Sequence, residues 1–184
     1  MLFFCYNQTN FGVNDMGLGY GATSQHEIVS HARRVAQAFS QSTAPQAMEF
    51  MLGIACAETA LGKTTDKLES QGAGLLQFDQ IGFDDALDRG VVHKPHIQAI
   101  LREEFGIEWS WIKFEHLDYS PLLSFIMCRV KLMLIPEPLP ELGDIEGQAR
   151  YWKKHWNSES GKGTVDHYIQ SVSDNYTVGY IKSV

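Results

Sequence analysis

The apolar positions of this chain recur mostly at three- and four-residue intervals, the spacing of one face of an α-helix. Ser24-Gln25-His26-Glu27 has the form of a capping box, and Ile28, Ala32, Val35, Ala36 and Phe39 follow it at helical spacing. Thr43-Ala44-Pro45-Gln46 predicts a second start, with an N-cap, a proline in the first turn and a glutamine at the box position; Gly62 is placed to stop it. Residues 47–61 are apolar nearly all round, so this helix is expected at the centre of the fold. Asp79 stands where it would cap a short helix through Phe83, Leu87 and Arg89. Pro95 opens another, with Ile97, Ile100, Leu101 and Phe105 inward and Gly106 ending it. Ser120-Pro121 opens a long apolar helix that Pro136 closes. Asp144 begins one through Tyr151, Trp152 and His155, and Thr164 a last one through Tyr168, Ile169 and Val172. Strand alternation is weak, with residues 107–114 the one stretch to mention. The pattern predicts a single, mainly α domain over residues 1–184, with an irregular segment at 1–23.

Composition narrows the classes. A chain of 184 residues with 44% hydrophobic content fills one core. A net charge of −7 argues against nucleic acid as a partner, which calls for a basic footprint. The charge is uneven: in residues 150–184 the basic Arg150, Lys153, Lys154, Lys162 and Lys182 outnumber the acids. Cys5, Cys56 and Cys128 are odd in number and scattered, two of them inside apolar runs, which predicts buried free thiols. The apolar run at 122–135 is interrupted by Ser124, Arg129 and Lys131, so no membrane span is expected. The first residues lack the positive region and the long apolar core of a signal peptide. The chain is therefore expected to be made in the cytoplasm, and a substrate outside would require a carrier.

Glu58 is the candidate for chemistry. It sits near the end of the apolar stretch 47–61, where burying a carboxylate costs several kcal/mol. Glu49 lies nine residues earlier, on roughly the opposite face at ~100° per residue. With Glu49 solvated, Glu58 looks inward or into a cleft beside Ile54, Ala55 and Leu61. Desolvation and the negative end of the helix dipole both favour its protonated form. Such a group suits a general acid that protonates a departing glycosidic oxygen. Downstream, Gly72-Ala73-Gly74-Leu75-Leu76-Gln77-Phe78 is a glycine-flanked loop. Gln77 offers a donor and an acceptor to sugar hydroxyls or N-acetyl groups, and Phe78 a flat apolar face.

Glu58-Thr59 with Gly62, then the Gly74-Leu75-Leu76-Gln77 loop, resemble the Glu-Ser and Gly-Leu-Met-Gln motifs of lytic transglycosylases and goose-type lysozymes, most closely phage-encoded members. Trp156-Asn157 followed by Gly161-Lys162-Gly163 resembles the C-terminal block of that superfamily, and the three blocks come in its order across residues 58–163. The resemblance implies a lysozyme-like fold and cleavage of the N-acetylmuramic acid to N-acetylglucosamine β-1,4 bond of peptidoglycan. Glu58 would be the sole acid/base, and Thr59, Gln77, Phe78, Tyr151, Trp156 and Asn157 would bind substrate. Together with the expected absence of a signal peptide, it implies delivery in a virion or through a secretion machine, or release at host lysis, with proteins of such an assembly as further partners. Thr59 stands where serine is usual. Trp156 stands where a tyrosine reaches toward the acid, and Tyr151 and Tyr168 are the residues that would replace that contact. Candidates for a second carboxylate are Asp66, Glu69 and Asp79.

Other motifs fail on spacing. His26 and His31 are one residue too far apart for a zinc helix and diverge by ~140°. Gly17 to Gly21 lacks dinucleotide spacing, and Gly161-Lys162-Gly163-Thr164 lacks the upstream glycine of a phosphate loop. No metal and no cofactor are expected. Trp109, Trp111, Trp152 and Trp156 suit either a sugar groove or the core. The rival readings are a structural or glycan-binding part of a virion or secretion assembly with little turnover, and a generic helical adaptor.

Overall fold

The computed structural model describes residues 18–65, 72–158 and 161–175. Among these residues the fold is mainly α, as expected. The helices are α1 (Gln25–Phe39), α2 (Ala44–Thr59), α3 (Gln80–Leu87), α4 (Pro95–Phe105), α5 (Pro121–Met133), α6 (Ile145–Trp152) and α7 (Val165–Asn175). Strands β1 (Gly72–Ala73) and β2 (Phe78–Asp79) form an antiparallel hairpin, with Gly72 opposite Asp79 and Ala73 opposite Phe78. Wider π-helical turns prolong α3 over Asp88–Val92 and α6 over Lys153–Asn157. Residues 1–17, including Cys5, lie outside the described residues.

The apolar α2 is at the centre. Phe50, Met51, Leu52, Ile54, Ala55 and Cys56 are all but fully buried, and each large side chain removed from water contributes about 1.5–3 kcal/mol. Helices α1, α5 and α7 pack around it. Helix α7 comes so close that a Cβ on Gly53 would collide with the Tyr168 hydroxyl. The thiols of Cys56 and Cys128 are free and buried; burial pushes the Cys56 thiol up to about 12, so it stays protonated.

Most helix starts follow the capping signals. Ser24 accepts from Glu27 N at 3.1 Å, Asp79 from Gly82 N at 2.6 Å, and Asp144 from Gly147 N at 2.9 Å. The box at Thr43 does not form. Thr43 Oγ1 accepts instead from Arg129 Nη2 at 3.2 Å, because that buried guanidinium needs an acceptor more than the helix end does. Residues 107–114 are not a strand. The amides of Ile107, Trp111 and Ile112 are used locally, by Leu101 O, Glu108 O and Trp109 O, which leaves none of the three for a sheet. Helix α5 ends at Met133, three residues ahead of Pro136.

Glu49 corrects the expectation made for it. It is buried rather than solvated, because α6 and the turn before it cover that side of α2. Its carboxylate accepts from Gly143 N at 2.7 Å and Gln148 Nε2 at 2.5 Å, and Gln148 Oε1 accepts from Tyr168 Oη at 3.3 Å. This buried polar chain ties α2 to α6 and α7. Among the described residues, no helix is long and apolar enough to cross a membrane.

Candidate active site

Glu58 lies in the last turn of α2, and the chain reverses immediately after it. Ala60, Leu61 and Gly62 all take left-handed conformations, with φ of 49°, 57° and 79°. The stop expected at Gly62 thus begins two residues early. Ala60 N donates to Cys56 O and Leu61 N to Ala55 O, both at 3.0 Å, which satisfies the exposed carbonyls of the helix end. Leu61 is carried into the core by the same turn. The carboxyl of Glu58 is left half-buried at a tightly closed helix end.

Trp152, at the end of α6, donates its indole Nε1–H to Glu58 Oε1 at 3.0 Å. Burial pushes the Glu58 carboxyl up to about 7; the Trp152 N–H and the Lys131 charge pull in the opposite direction. The indole itself is buried against Tyr168, with ring centroids 5.5 Å apart. Gly163 passes so close to the indole that a side chain there would strike it, and one at Gly161 would strike Asn157. Gly163 of the third sequence block therefore seats the partner of Glu58, and Gly161 seats Asn157. From α7, His167 Nε2 meets Ala57 O at 2.9 Å, one residue before the acid.

The hairpin loop is fastened to the same helix end. Thr59 Oγ1 donates to Leu75 O at 2.8 Å and accepts from Gly62 N at 3.2 Å. Trp156 Nε1 donates to Leu76 O at 3.2 Å, and Gly74 N donates to Asp118 Oδ1 at 2.8 Å. Gln77, itself left-handed at φ 47°, donates through Nε2 to Gly74 O and to Tyr20 Oη, at 2.9 and 3.0 Å. Leu75 and Leu76 are fully buried.

The structure thus brings Glu58, Thr59, Gln77, Trp156 and the loop together, with several roles differing from those expected. Thr59 is buried and its hydroxyl is spent on the loop. Phe78 is buried at 1% exposure, its ring packed edgewise against Phe83 and Trp156, so it offers no open face. Tyr151 is buried and donates to Glu137 O at 3.1 Å, and Tyr168 donates to Gln148. The contact expected of one of these tyrosines, or of Trp156, is made by Trp152. Asn157 Oδ1 accepts from Lys153 Nζ at 2.9 Å and shapes the turn to Gly161. Asp79 caps α3 and lies 3.6 Å from Lys131 Nζ. Asp66 and Glu69 lie outside the described residues.

The sequence reading named two residues of this site without their roles here: Trp152 as a groove or core aromatic, and Lys131 as a break in an apolar run. Trp152 had a signal: it precedes Trp156 by four residues and so shares its side of the helix. Lys131 had one too, a cation within the apolar run of α5. Trp111, by contrast, is 73% exposed. Among the described residues no group of three or more His, Cys, Asp or Glu side chains is arranged to hold a metal ion. Comparison of the chain with protein families, with curated proteins and with solved structures finds no match.

Proposed function

We propose that this chain is a peptidoglycan-cleaving enzyme with a lysozyme-like fold and Glu58 as its single acid/base. The observation that carries the reading is a half-buried carboxyl at about 7, held by a buried indole N–H beside a fastened glycine-flanked loop. A group poised near neutrality can both give and take a proton in one cycle. In the first half, Glu58 donates its proton to the glycosidic oxygen between N-acetylmuramic acid and N-acetylglucosamine as the C1–O bond breaks. In the second, the 6-hydroxyl of the muramic residue adds to C1 and its proton returns to the Glu58 carboxylate. The product is a 1,6-anhydro end, and no second carboxylate is required. A hydrolytic variant of the same chemistry would place water where the 6-hydroxyl attacks.

The motif blocks resemble most closely those of phage-encoded enzymes, which fits an action at the bacterial wall after carriage in a virion, beside other virion proteins. The test is clearing of purified sacculi. Glu58→Gln is expected to abolish it in a protein that folds normally; full activity in that variant sinks the assignment. Mass spectrometry of the products separates transglycosylase, with 1,6-anhydro ends, from lysozyme, with reducing ends. Activity is expected to fall as pH rises above about 7, where Glu58 loses the proton it must donate.

One observation favours a second reading, a structural or glycan-binding part of a virion or secretion assembly with little turnover. Thr59, Phe78 and Tyr151, expected to bind substrate, are buried and engaged within the protein. Binding to sacculi without release of soluble muropeptides would support it.

A further inference from the structure

Trp111 and Tyr119 are the two large aromatic side chains exposed among the described residues, at 73% and 79%, and both line one cleft of about 400 Å³. Neither ring packs on another, and among the described residues neither the indole N–H nor the phenol O–H has a partner. Side chains this large are mostly withdrawn from water, and their shared exposure marks a place for a ligand. The backbone holds them there. Helix α4 stops at Gly106, left-handed at φ 69°, and two 3-10 turns follow, Trp109–Trp111 and Phe114–Tyr119. Ile112, Leu117 and Leu123 are buried, so the segment is anchored by apolar side chains while its two aromatics stand outward. It is also tied to the loop beside Glu58. Asp118 Oδ1 accepts from Gly74 N, and a Cβ on Gly74 would strike Leu117 O. Tyr119 O lies as close to Gly21, next to the Tyr20 that accepts from Gln77.

We propose that this cleft is a second saccharide site, which holds the glycan strand of peptidoglycan at residues other than those around Glu58. The proposal rests on the reading of peptidoglycan as the substrate. Thr59, Phe78 and Tyr151 are buried, which leaves the strand short of the contacts expected of them. A pyranose ring has apolar C–H faces and a rim of hydroxyls. Trp111 and Tyr119 offer flat surfaces to the faces. Glu108 and His116 line the same cleft, and their side chains make no hydrogen bond among the described residues, so they are available to hydroxyls and N-acetyl groups. Buried Ile112 and Leu123 supply the apolar part of the lining. A mainly apolar cleft of about 400 Å³ with a few polar groups has the build of a small-molecule site. Its lining includes no lysine or arginine, so a phosphate polymer would meet Glu108 with nothing to offset its charge.

The probe is an N-acetylglucosamine tetramer, titrated into the full chain carrying Glu58→Gln so that nothing is cleaved. The readout is the indole N–H resonance of Trp111, assigned through Trp111→Phe, and a saturable shift is expected. Trp111→Ala and Tyr119→Ala remove exposed rings and leave the fold intact; each is expected to weaken tetramer binding roughly tenfold or more. Ile81→Ala removes an equally exposed apolar side chain outside the cleft and should change nothing. A Trp111 resonance that the tetramer leaves unmoved, or alanine variants that bind like their parent, overturns the proposal. Sacculi stripped of stem peptides by an amidase should be bound as well as intact ones. Loss of binding on stripping would assign the cleft to peptide and overturn the proposal too. With Glu58 in place, Trp111→Ala should raise KM on sacculi and leave kcat near its starting value. Tetramer binding at Trp111 without any cleavage by the wild type would count against the enzymatic reading and leave this site standing. Cleavage indifferent to both rings would do the reverse.

Discussion

Trp152 and Glu58, 94 residues apart in sequence, are joined by a 3.0 Å bond from indole N–H to carboxyl oxygen. The bond opposes the effect of burial on the acid. Trp152→Phe keeps an aromatic ring in the core and deletes the donor, so the Glu58 midpoint is expected to rise further. Catalytic efficiency on sacculi should drop roughly ten- to a hundredfold as the carboxyl loses its anchor. Stability should fall by about 1–3 kcal/mol for the smaller ring. Trp156→Phe is the control, since its N–H serves Leu76 O, and it should leave the Glu58 titration close to wild type. Kinetics across pH, together with NMR titration, separate the two.

Glu58 makes the protein's stability depend on pH. Below about pH 4.5 the group is protonated in both the folded and the unfolded chain and costs nothing. Between that value and about 7 the unfolded chain ionises while the folded one keeps its proton, so stability falls as pH rises; above about 7 the loss is complete. The full effect is at most about 3 kcal/mol, reduced by whatever solvent the half-buried carboxyl retains. Glu58→Gln has no such dependence. Urea unfolding should therefore show variant and wild type alike at pH 4.5 and the variant more stable at pH 8.

Thr59 fastens the loop to the helix end, and the two halves of its side chain can be tested apart. Thr59→Ser keeps the hydroxyl that bridges Gly62 N and Leu75 O, and is expected to cost under about 1 kcal/mol. Thr59→Val keeps the shape and orphans both partners, which should cost about 1–3 kcal/mol and lower activity with it. Chemical denaturation beside sacculus clearing measures both. Equal stability in the two variants would remove Thr59 from the fastening.

Periodicity and caps made the helical class readable because α1, α3, α4, α5, α6 and α7 each carry a local start signal near the observed boundary. The failures were of a different kind. Glu49 looked solvated because a helical wheel records direction and not what packs there, and only α6 supplies the donors of Gly143 and Gln148. Thr43 looked like a cap, yet Arg129 on α5 claims its oxygen. At the site, Glu58 and the loop were legible from burial cost and glycines. The identity of its partner was not, since Tyr151, Trp152 and Trp156 lie close together in sequence and no sequence signal announces the π-helical turn over Lys153–Asn157 that carries Trp156.

Gly53 marks where α2 and α7 touch. Gly53→Ala is expected to destabilise the fold by about 1–3 kcal/mol, because the new methyl group strikes the Tyr168 hydroxyl. Adding Tyr168→Phe removes that oxygen, but the ring carbon beneath it would still lie only 2.7 Å from the methyl. The double variant should recover part of the loss and not all of it. Thermal denaturation in a double-mutant cycle reads the coupling, and strict additivity would show that the helices do not meet at this point.

The reversal after Glu58 bears on how the end of α2 opens. Helix termini ordinarily fray first, and their amide protons exchange with solvent long before the whole chain unfolds. Here, uncoiling the last turn requires withdrawing Leu61 from the core, breaking the bonds from Ala60 N and Leu61 N, and releasing the loop held by Thr59. Two non-glycine residues in left-handed conformation persist only because these contacts outweigh their cost. The amides of Ala60 and Leu61 should therefore exchange as slowly as those at the middle of α2, making the terminal turn part of the last cooperative unit to open.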